Sequence, residues 1–163
     1  MSETMTVTQY LTFSLGAEVF AFDVAKVREV LELIPITKVP QAPVYMSGVV
    51  NVRGSVVPVI DLRRKLGMGV AERSVNTCII VIEVPLDGGM TVLGALVDSV
   101  QEVVEFESSQ IAPAPRIGTG VRIEFLNGIG KREDKFVLIM DIARVLSDED
   151  FQMLAEAGGD QKA

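Results

Sequence analysis

Residues 48–67 read GVVNVRGSVVPVIDLRRKLG, and this stretch predicts a turn, a strand and a helical turn in succession. Residues 51–54, Asn-Val-Arg-Gly, predict the turn, because its glycine can adopt a positive φ. Residues 55–62 are apolar and rich in β-branched side chains, which indicates a buried strand. Residues 63–66 then predict one short helical turn that ends at Gly67. Alternating short strands and turns of this kind are typical of a β fold.

The size and hydropathy of the chain favour one domain, or two very small ones, with a large buried core. The sequence has 163 residues, of which 48% are hydrophobic, and its mean hydropathy is +0.37. No apolar run approaches the roughly 18–20 residues of a membrane-spanning helix. The first residues, MSETMTVTQ, have neither the basic start nor the apolar centre of a signal peptide. We therefore expect a soluble cytoplasmic protein without direct membrane insertion.

Charge and composition exclude several functional classes. The net charge of −7 argues against a nucleic-acid partner, since phosphate binding needs a basic face. The sequence contains no histidine, which excludes Ser-His-Asp and Cys-His catalysis and imidazole-ligated metals. The single cysteine, Cys78, excludes an internal disulfide and is expected to be a buried strand residue. Neither a cofactor nor a metal is expected.

The first half predicts a hairpin followed by short elements. Alternation of apolar and polar residues indicates the first strand, and Asp23 is a suitable helix N-cap. The valines after Asp23 have helical spacing, and the prolines in residues 39–43 interrupt regular structure. The predicted elements are strands over 10–15 and 19–22, a helix over 23–30, a strand over 31–36 and a short helix over 44–50.

The second half predicts a second hairpin and a C-terminal helix. Asp-Gly-Gly at residues 87–89 supplies the positive φ angles that a hairpin turn needs. The valines in residues 97–104 fit helical or mixed spacing. The predicted elements are strands over 78–84, 90–96, 121–126 and 136–140, a polar turn over 127–135, a helical turn capped by Asp141 and a terminal helix from Ser147.

The two halves resemble each other, which indicates an internal repeat. FAFDVAKVREVLE, from Phe20, aligns with LGALVDSVQEVVE, from Leu93, and SVVPVIDLRRKL, from Ser55, aligns with KFVLIMDIARVL, from Lys135. The match includes acidic positions, so it is more than an agreement of apolar residues. Short strands joined by glycine and proline turns favour small barrels, and two similar halves favour two of them side by side. A groove between two barrels is a usual place for binding.

Motifs for nucleotide binding and catalysis are absent from this sequence. Residues 118–120 and 128–131 lack the spacing of dinucleotide or phosphate loops. Glu102, Glu105 and Glu107 are interpreted as a solvated face. An enzyme is therefore not expected. Val27 and Val52 lie beside charged residues, which fits either a protein interface or ordinary core positions.

These motifs resemble the CheW family of bacterial chemotaxis coupling proteins. NVRGSVVPVIDLRRKLG resembles the family signature, and FAFDVAKVREVLEL, LGALVDSVQEVVEFESSQIAPAP and FVLIMDIARVLS follow the family pattern in the same order. The resemblance implies two five-stranded SH3-like β-barrels, with short helices and a C-terminal helix, in which strands can cross between barrels. The expected boundaries are one domain over 8–155, with repeat halves of about 10–68 and 77–146 and flexible tails over 1–7 and 158–163.

The resemblance also implies a function without catalysis. The family links the cytoplasmic tips of chemoreceptors (methyl-accepting chemotaxis proteins) to the regulatory domain of the CheA histidine kinase. Recruitment to membrane-associated receptor arrays, with array or ring assembly, is part of this expectation. The residues expected at the coupling site are Arg53, Val27, Glu29, Gly48, Asn51, Val52 and Gly54, and those expected at a kinase-binding edge are Val39, Pro40 and Met46.

Two alternatives stay open at this point. The chain could be a small-molecule-binding β-barrel module whose groove takes an apolar ligand. It could also be a CheW-like adaptor in a pathway other than swimming, such as surface motility. Arg53 could equally be an ordinary solvated turn residue, because most loop charges are.

Overall fold

Eleven strands in two β-sheets make up most of the described part of the chain. The computed structural model describes residues 6–69, 73–86, 89–113, 125–146 and 150. The strands are β1 (Val7–Leu15), β2 (Glu18–Asp23), β3 (Val27–Glu32), β4 (Met46–Val52), β5 (Ser55–Asp61), β6 (Cys78–Leu86), β7 (Gly89–Val97), β8 (Ser99–Glu107), β9 (Ile111–Ala112), β10 (Leu126–Arg132) and β11 (Lys135–Met140). The helices are α1 (Leu62–Lys65) and α2 (Ile142–Val145), and two 3-10 turns span Val24–Lys26 and Ser108–Gln110.

The chain passes from one sheet to the other and back. Sheet A has the strand order β8-β1-β2-β11-β10-β9, and sheet B has the order β3-β6-β7-β5-β4. Neighbours are antiparallel except for β2 with β11 and β5 with β7, which are parallel. The sequence repeat makes β3, β6, β7, β5 and β4 of sheet B the counterparts of β8, β1, β2, β11 and β10 of sheet A. The counterparts occur in the same order in the two sheets. Sheet B therefore takes three strands from the first half and two from the second, whereas sheet A takes two from the first half and four, including the short β9, from the second.

Three buried clusters hold the sheets together. Sheet A has its own cluster around Phe106 and Val137, and sheet B has its own around Val57 and Ile79. A larger cluster, which includes Phe13 and Ile80, lies between the sheets and draws on both. Because β6 alternates between the sheet B cluster and the shared cluster, both of its faces are apolar. This explains the nearly continuous apolar run CIIVIEV at the start of β6.

Most sequence predictions for the regular elements are confirmed. The mainly β fold is confirmed, as are β1, β2, β5, β6, β7 and β11 to within a few residues. The helical turn after β5 is confirmed as α1, where the Asp61 carboxylate accepts from the Arg63 and Arg64 backbone N–H groups. The Asp141 cap of α2 is confirmed in the same way, since it accepts from the Ala143 N–H. Equivalent aspartates therefore start the equivalent helices.

The helix predicted over 23–30 is wrong, and of the strand predicted over 31–36 only residues 31 and 32 are in a strand, the end of β3. Asp23 caps only one 3-10 turn, and β3 begins at Val27. A β-bulge between Val27 and Glu29 shifts the register against β6, so the apolar positions mimic helical spacing. The β-branched valines favour the strand, whose exposed positions include Val30, at 41% exposure.

The helix predicted over 44–50 and the polar turn predicted over 127–135 are also wrong. Both stretches are strands, β4 and β10, and each forms a hairpin with the strand that follows it. Each contains a bulge that ends at a glycine, Gly48 or Gly128. Only residues 133–134 form the turn of the second hairpin. Glycines at sites of close backbone approach make β10 look like a loop in the sequence.

The remaining predictions fall partly outside the described residues. Residues 97–104 belong mainly to β8, so the mixed spacing marks a strand. Cys78 begins β6 as predicted but is half-buried rather than buried. Of the predicted strand over 121–126, residues 121–124 lie outside the described residues, as does the predicted terminal helix except for Asp150, which is helical. Within the described residues, no helix has the length and apolar composition needed to cross a bilayer.

Candidate functional site

The hairpin between β4 and β5 places Arg53 at its tip. Val52 pairs with Ser55, so the turn consists of Arg53 and Gly54, with φ angles of 50° and 88°. Two positive φ angles match the twist of the flanking strands, as in type I′ turns. The Asn51 side-chain oxygen accepts from the Gly54 backbone N–H at 2.8 Å and fixes the turn from within. Arg53 therefore projects from a rigid hairpin in a conformation that few non-glycine residues adopt.

Arg53 forms a two-pronged ion pair with Glu29 on β3. Its Nη1 donates to Glu29 Oε1 at 3.2 Å, and its Nη2 donates to Glu29 Oε2. Strands β3 and β4 are the two edges of sheet B, so this pair joins edges that are not hydrogen-bonded neighbours. The hydrogen bond with Glu29, followed by the carboxylate charge, raises the pKa of Arg53 further above its ordinary value. The guanidinium thus keeps its charge throughout the physiological range.

The exposure of this ion pair limits what it adds to stability. The Arg53 side chain is 72% exposed, whereas that of Glu29 is 25% exposed. Exposed ion pairs contribute little to folding, because water screens the charges and ordering two long side chains opposes the gain. Arg53 remains accessible to a partner on most of its surface. The ion pair therefore leaves most of the Arg53 side chain open to solvent.

Val27 lies on the same strand as Glu29, at the bulge. Burial alternates along β3, with Val27, Glu29 and Leu31 on its less exposed face. Val27 is half-buried and packs against the shared cluster between the sheets. The apolar residue and the ion pair thus lie close together along one edge strand, which brings three of the predicted coupling residues into one region.

Gly48 shapes the site without contributing a side chain. Its φ is 145°, and a Cβ there would lie 2.1 Å from the Thr37 carbonyl oxygen. Thr37 and Val49 exchange two backbone hydrogen bonds, at 2.9 and 2.8 Å, so the β3–β4 connector (residues 33–45) lies directly on β4. Gly48 permits this close approach. Its role is one of shape rather than direct contact.

The residues predicted for a kinase-binding edge differ in their exposure. Val39 is half-buried and Pro40 is exposed, both in the β3–β4 connector. Met46 is 6% exposed and belongs to the shared cluster. The structure therefore presents Pro40 and part of Val39 on the surface, whereas Met46 is buried in the shared cluster, against which Val39 packs.

A second ion pair, which the sequence interpretation missed, mirrors the first. Arg132, at the end of β10, donates through Nη1 to Glu102 on β8 at 2.8 Å. Glu102 is the repeat counterpart of Glu29, and β8 and β10 are the counterparts of β3 and β4. The alignment of the two glutamates was the available signal. Glu102 is exposed, as predicted for a solvated face, and it bridges two strands of sheet A that are not neighbours.

Comparisons with known proteins agree with this geometry. The family model described as a CheW-like domain matches residues 9–150. A chemotaxis protein CheW of Klebsiella aerogenes is 34% identical over 146 residues, covering 90% of this chain and 86% of the relative. One from Rhizobium meliloti is 32% identical over 142 residues, covering 87% and 89%.

A solved structure is also similar. The crystal structure of the scaffolding protein TtCheW from Thermoanaerobacter tengcongensis matches with a TM-score of 0.74 and 34% identity, over 83% of this chain and 89% of that one. This similarity agrees with two SH3-like, barrel-like subdomains, one for each sheet.

Proposed function

The chain belongs to the CheW family, and from this premise we propose that it links chemoreceptor cytoplasmic tips to the regulatory domain of a CheA-type histidine kinase. Its relatives are named chemotaxis proteins, and the similar solved structure is described as a scaffolding protein, which supports a chemotaxis coupling adaptor. In this proposal the protein has no catalytic role. It acts in the cytoplasm and is recruited to receptor arrays at the membrane.

The observation that carries the proposal is the ion pair between Arg53 and Glu29. The family resemblance assigns both residues to coupling, and they meet although they are 24 positions apart in the sequence. Glu29 holds the guanidinium at the tip of a rigid hairpin, where most of the Arg53 side chain stays exposed. A preorganised cation loses little side-chain entropy when it binds a partner. This arrangement suits a recognition residue.

The surrounding surface suits a weak and repeated contact. A receptor helix would place an apolar face near Val27, with Arg53 at the rim of the interface. Transient signalling contacts of this kind are small, so each one is weak. Many copies in an array raise the overall strength through multivalency. The kinase would contact the separate edge at Val39 and Pro40, so one adaptor would hold both partners.

The test is receptor-dependent kinase autophosphorylation with two matched variants. Arg53→Glu is expected to lower stimulation by about tenfold or more, because charge reversal at a rim residue opposes the partner. Arg132→Glu reverses an equivalent exposed charge on sheet A and serves as the control. Both variants should melt close to the wild type. A strongly destabilised Arg53→Glu, or an equal loss in Arg132→Glu, would contradict a specific role for Arg53.

A charge swap separates recognition from the internal ion pair. The double variant Glu29→Arg/Arg53→Glu restores opposite charges between the hairpin and β3. If Arg53 contacts a partner directly, kinase stimulation should stay low in the double variant. Recovery of stimulation would show instead that the ion pair acts only by holding the hairpin.

The same assay distinguishes pathways. If the protein binds the kinase regulatory domain but gives no stimulation with swimming-type receptors, a CheW-like adaptor of another pathway is favoured. If it gives neither stimulation nor binding, the coupling proposal fails.

A further inference from the structure

A cavity of about 370 Å³ opens on sheet B, away from the coupling hairpin. It lies between the β3–β4 connector, helix α1 and the end of β7. Four cationic side chains and two carboxylates are among the residues that line it, whereas the whole chain has a net charge of −7. The volume is within the range of small-molecule sites. The cationic residues are Lys38, Arg63, Arg64 and Arg73.

Both carboxylates of the cavity already have partners. Asp98 accepts from the Gly16 backbone N–H at 2.7 Å and from Arg63 Nη1 at 2.9 Å. Asp61 caps α1 through the Arg63 and Arg64 N–H groups, and its contact with Arg64 Nε is longer, at 3.7 Å. These acids are therefore bound to the backbone and to two of the arginines.

The remaining cationic groups are not neutralised by the described residues. Neither Lys38 nor Arg73 has a carboxylate within ion-pair distance in the part of the chain that the structure describes. The Arg63 Nε–H is buried and has no hydrogen-bond acceptor among the same residues. The positive charge of Lys38 and Arg73 at the cavity favours an anionic ligand, because its oxygens can accept charge-assisted hydrogen bonds from these side chains.

A smaller space on sheet A includes two positions that are repeat counterparts of residues lining this cavity. Asn127 and Asp23, the repeat counterparts of Ser47 and Leu96, line a space of only about 60 Å³. Aromatic side chains, Tyr10 and Phe22, lie around that smaller space. At the position of Arg63, α2 has Ala143. Among the described residues, the cavity on sheet B is the larger of these two spaces and is lined by more cationic side chains.

We propose that this cavity binds a small amphiphilic organic anion, with its carboxylate or phosphate beside Lys38, Arg63 and Arg73 and its apolar part against Val39 and Met46. The apolar lining would contact the apolar part of the ligand, and the cationic side chains would bind its anionic group. This proposal does not depend on the adaptor function.

The first test titrates the isotope-labelled full chain with octanoate, octyl phosphate and uncharged 1-octanol while backbone amide shifts are followed by NMR. We expect saturable shifts at Ser47 and Asp98 with at least one anion, and an affinity about tenfold or more above that of 1-octanol. Preference for one anion identifies the head group. Absence of saturable shifts with both anions, equal binding of 1-octanol, or shifts centred on Asn127 would overturn the proposal.

The second test removes the unpaired charges. Lys38→Gln/Arg73→Gln leaves the ion pairs of Arg63 and Arg64 in place and should weaken anion binding by about tenfold or more. Lys131→Gln/Lys135→Gln removes two charges from the β10–β11 hairpin and should leave binding nearly unchanged. Equal binding by both double variants would overturn the proposal, and melting curves establish that each is folded.

Discussion

The β4–β5 and β10–β11 hairpins occupy equivalent places in the two sheets but differ in the charge at their tips. Each has a bulge that ends at a glycine, and each has a two-residue turn whose first residue has a positive φ. That residue is Arg53 in one hairpin and Glu133 in the other, with φ angles of 50° and 57°. In each case an arginine near the tip pairs with a glutamate on the far edge strand.

This difference distinguishes the backbone conformation, which the fold requires, from the side-chain charge, which can vary with function. The backbone conformation recurs in both hairpins, so the fold demands a tight turn with a left-handed residue. The side chain at that residue differs in sign between the hairpins, so the fold does not fix it. The charge at the tip is therefore available for recognition, and Arg53 is the tip residue that the family resemblance assigns to coupling.

The largest expected effect tests whether the two sheets fold as one unit. Val57 and Val137 are repeat counterparts and are 4% and 5% exposed. Each lies in the buried cluster that belongs to its own sheet. Val57→Asp and Val137→Asp should each lower the free energy of unfolding by about 4 kcal/mol or more, because each variant buries an unpaired carboxylate. Urea unfolding and amide hydrogen exchange measure the effect, with Ser55→Asp as an exposed control.

The shared cluster between the sheets should spread the loss in either variant to both sheets. A Val57→Asp protein that keeps slow exchange throughout sheet A would show that the sheets are independent. A soluble and cooperatively folded variant would contradict the burial of Val57.

The next effect compares the two bulge glycines. Gly48→Ala should destabilise by about 3 kcal/mol or more, since the new Cβ would meet the Thr37 carbonyl oxygen at a φ of 145°. Gly128→Ala should cost less, about 1–3 kcal/mol, because the new Cβ would meet a side-chain methyl of Ile111 at 2.6 Å and the Ala112 carbonyl oxygen only at 2.9 Å, without the positive φ of Gly48. Urea unfolding of both variants gives the difference. Equal costs would mean that the connector can leave β4 as easily as β9 leaves β10.

A smaller effect should appear at alkaline pH in sheet A. Burial, the largest cause, raises the pKa of Tyr10 above its ordinary value of 10.0, and Asp23 adds to this. The folded protein therefore holds the phenol proton more tightly than the unfolded chain does. Stability should fall as the pH rises above about 10, where the unfolded tyrosine ionises first.

Tyr10→Phe removes this titration. The unfolding free energy of the variant should therefore decline less between pH 9 and pH 11, the range in which an ordinary tyrosine ionises, than that of the wild type. Ile79 occupies the equivalent strand position in sheet B and has no group that titrates. Identical pH profiles for the two proteins would show that Tyr10 ionises equally well in both states.

The smallest expected effect concerns the stability provided by the two ion pairs. Glu29→Gln and Glu102→Gln should both melt close to the wild type, because each pair is largely exposed. Double-mutant cycles with Arg53→Gln and Arg132→Gln measure the coupling within each pair. A large coupling only for Arg53 and Glu29 would give that pair a structural role and weaken the recognition argument.

The sequence predicted elements best where a single local cause decides them. Asp61 and Asp141 cap their helices through neighbouring backbone groups, so local chemistry was sufficient. Strand β6 was clear because both of its faces are buried. By contrast, β3 and β10 contain bulges, which shift the apolar periodicity by one residue. The shifted pattern predicts a helix for β3 and a loop for β10.

The geometry around the predicted coupling residues could be inferred from the sequence only in part. The resemblance selected Arg53 and Glu29 separately, but no spacing rule in the sequence indicates that they touch. Met46 is predicted at the kinase-binding edge but is a core residue, and a bulge follows it in β4. The counterpart pair of Glu102 and Arg132 requires strand pairing across 30 residues.

The sequence alone determined the mainly β class, the repeat of its motifs, the turn at Arg53 and the family, because these follow from local propensities and residue order. Only the tertiary structure decided that each sheet combines strands of both halves, and that Arg53 bridges two edges of sheet B. It also decided that four cationic side chains from separate segments line one cavity beside helix α1. The physical reason is that these features arise from contacts between residues distant in sequence, whose geometry depends on bulges and core packing.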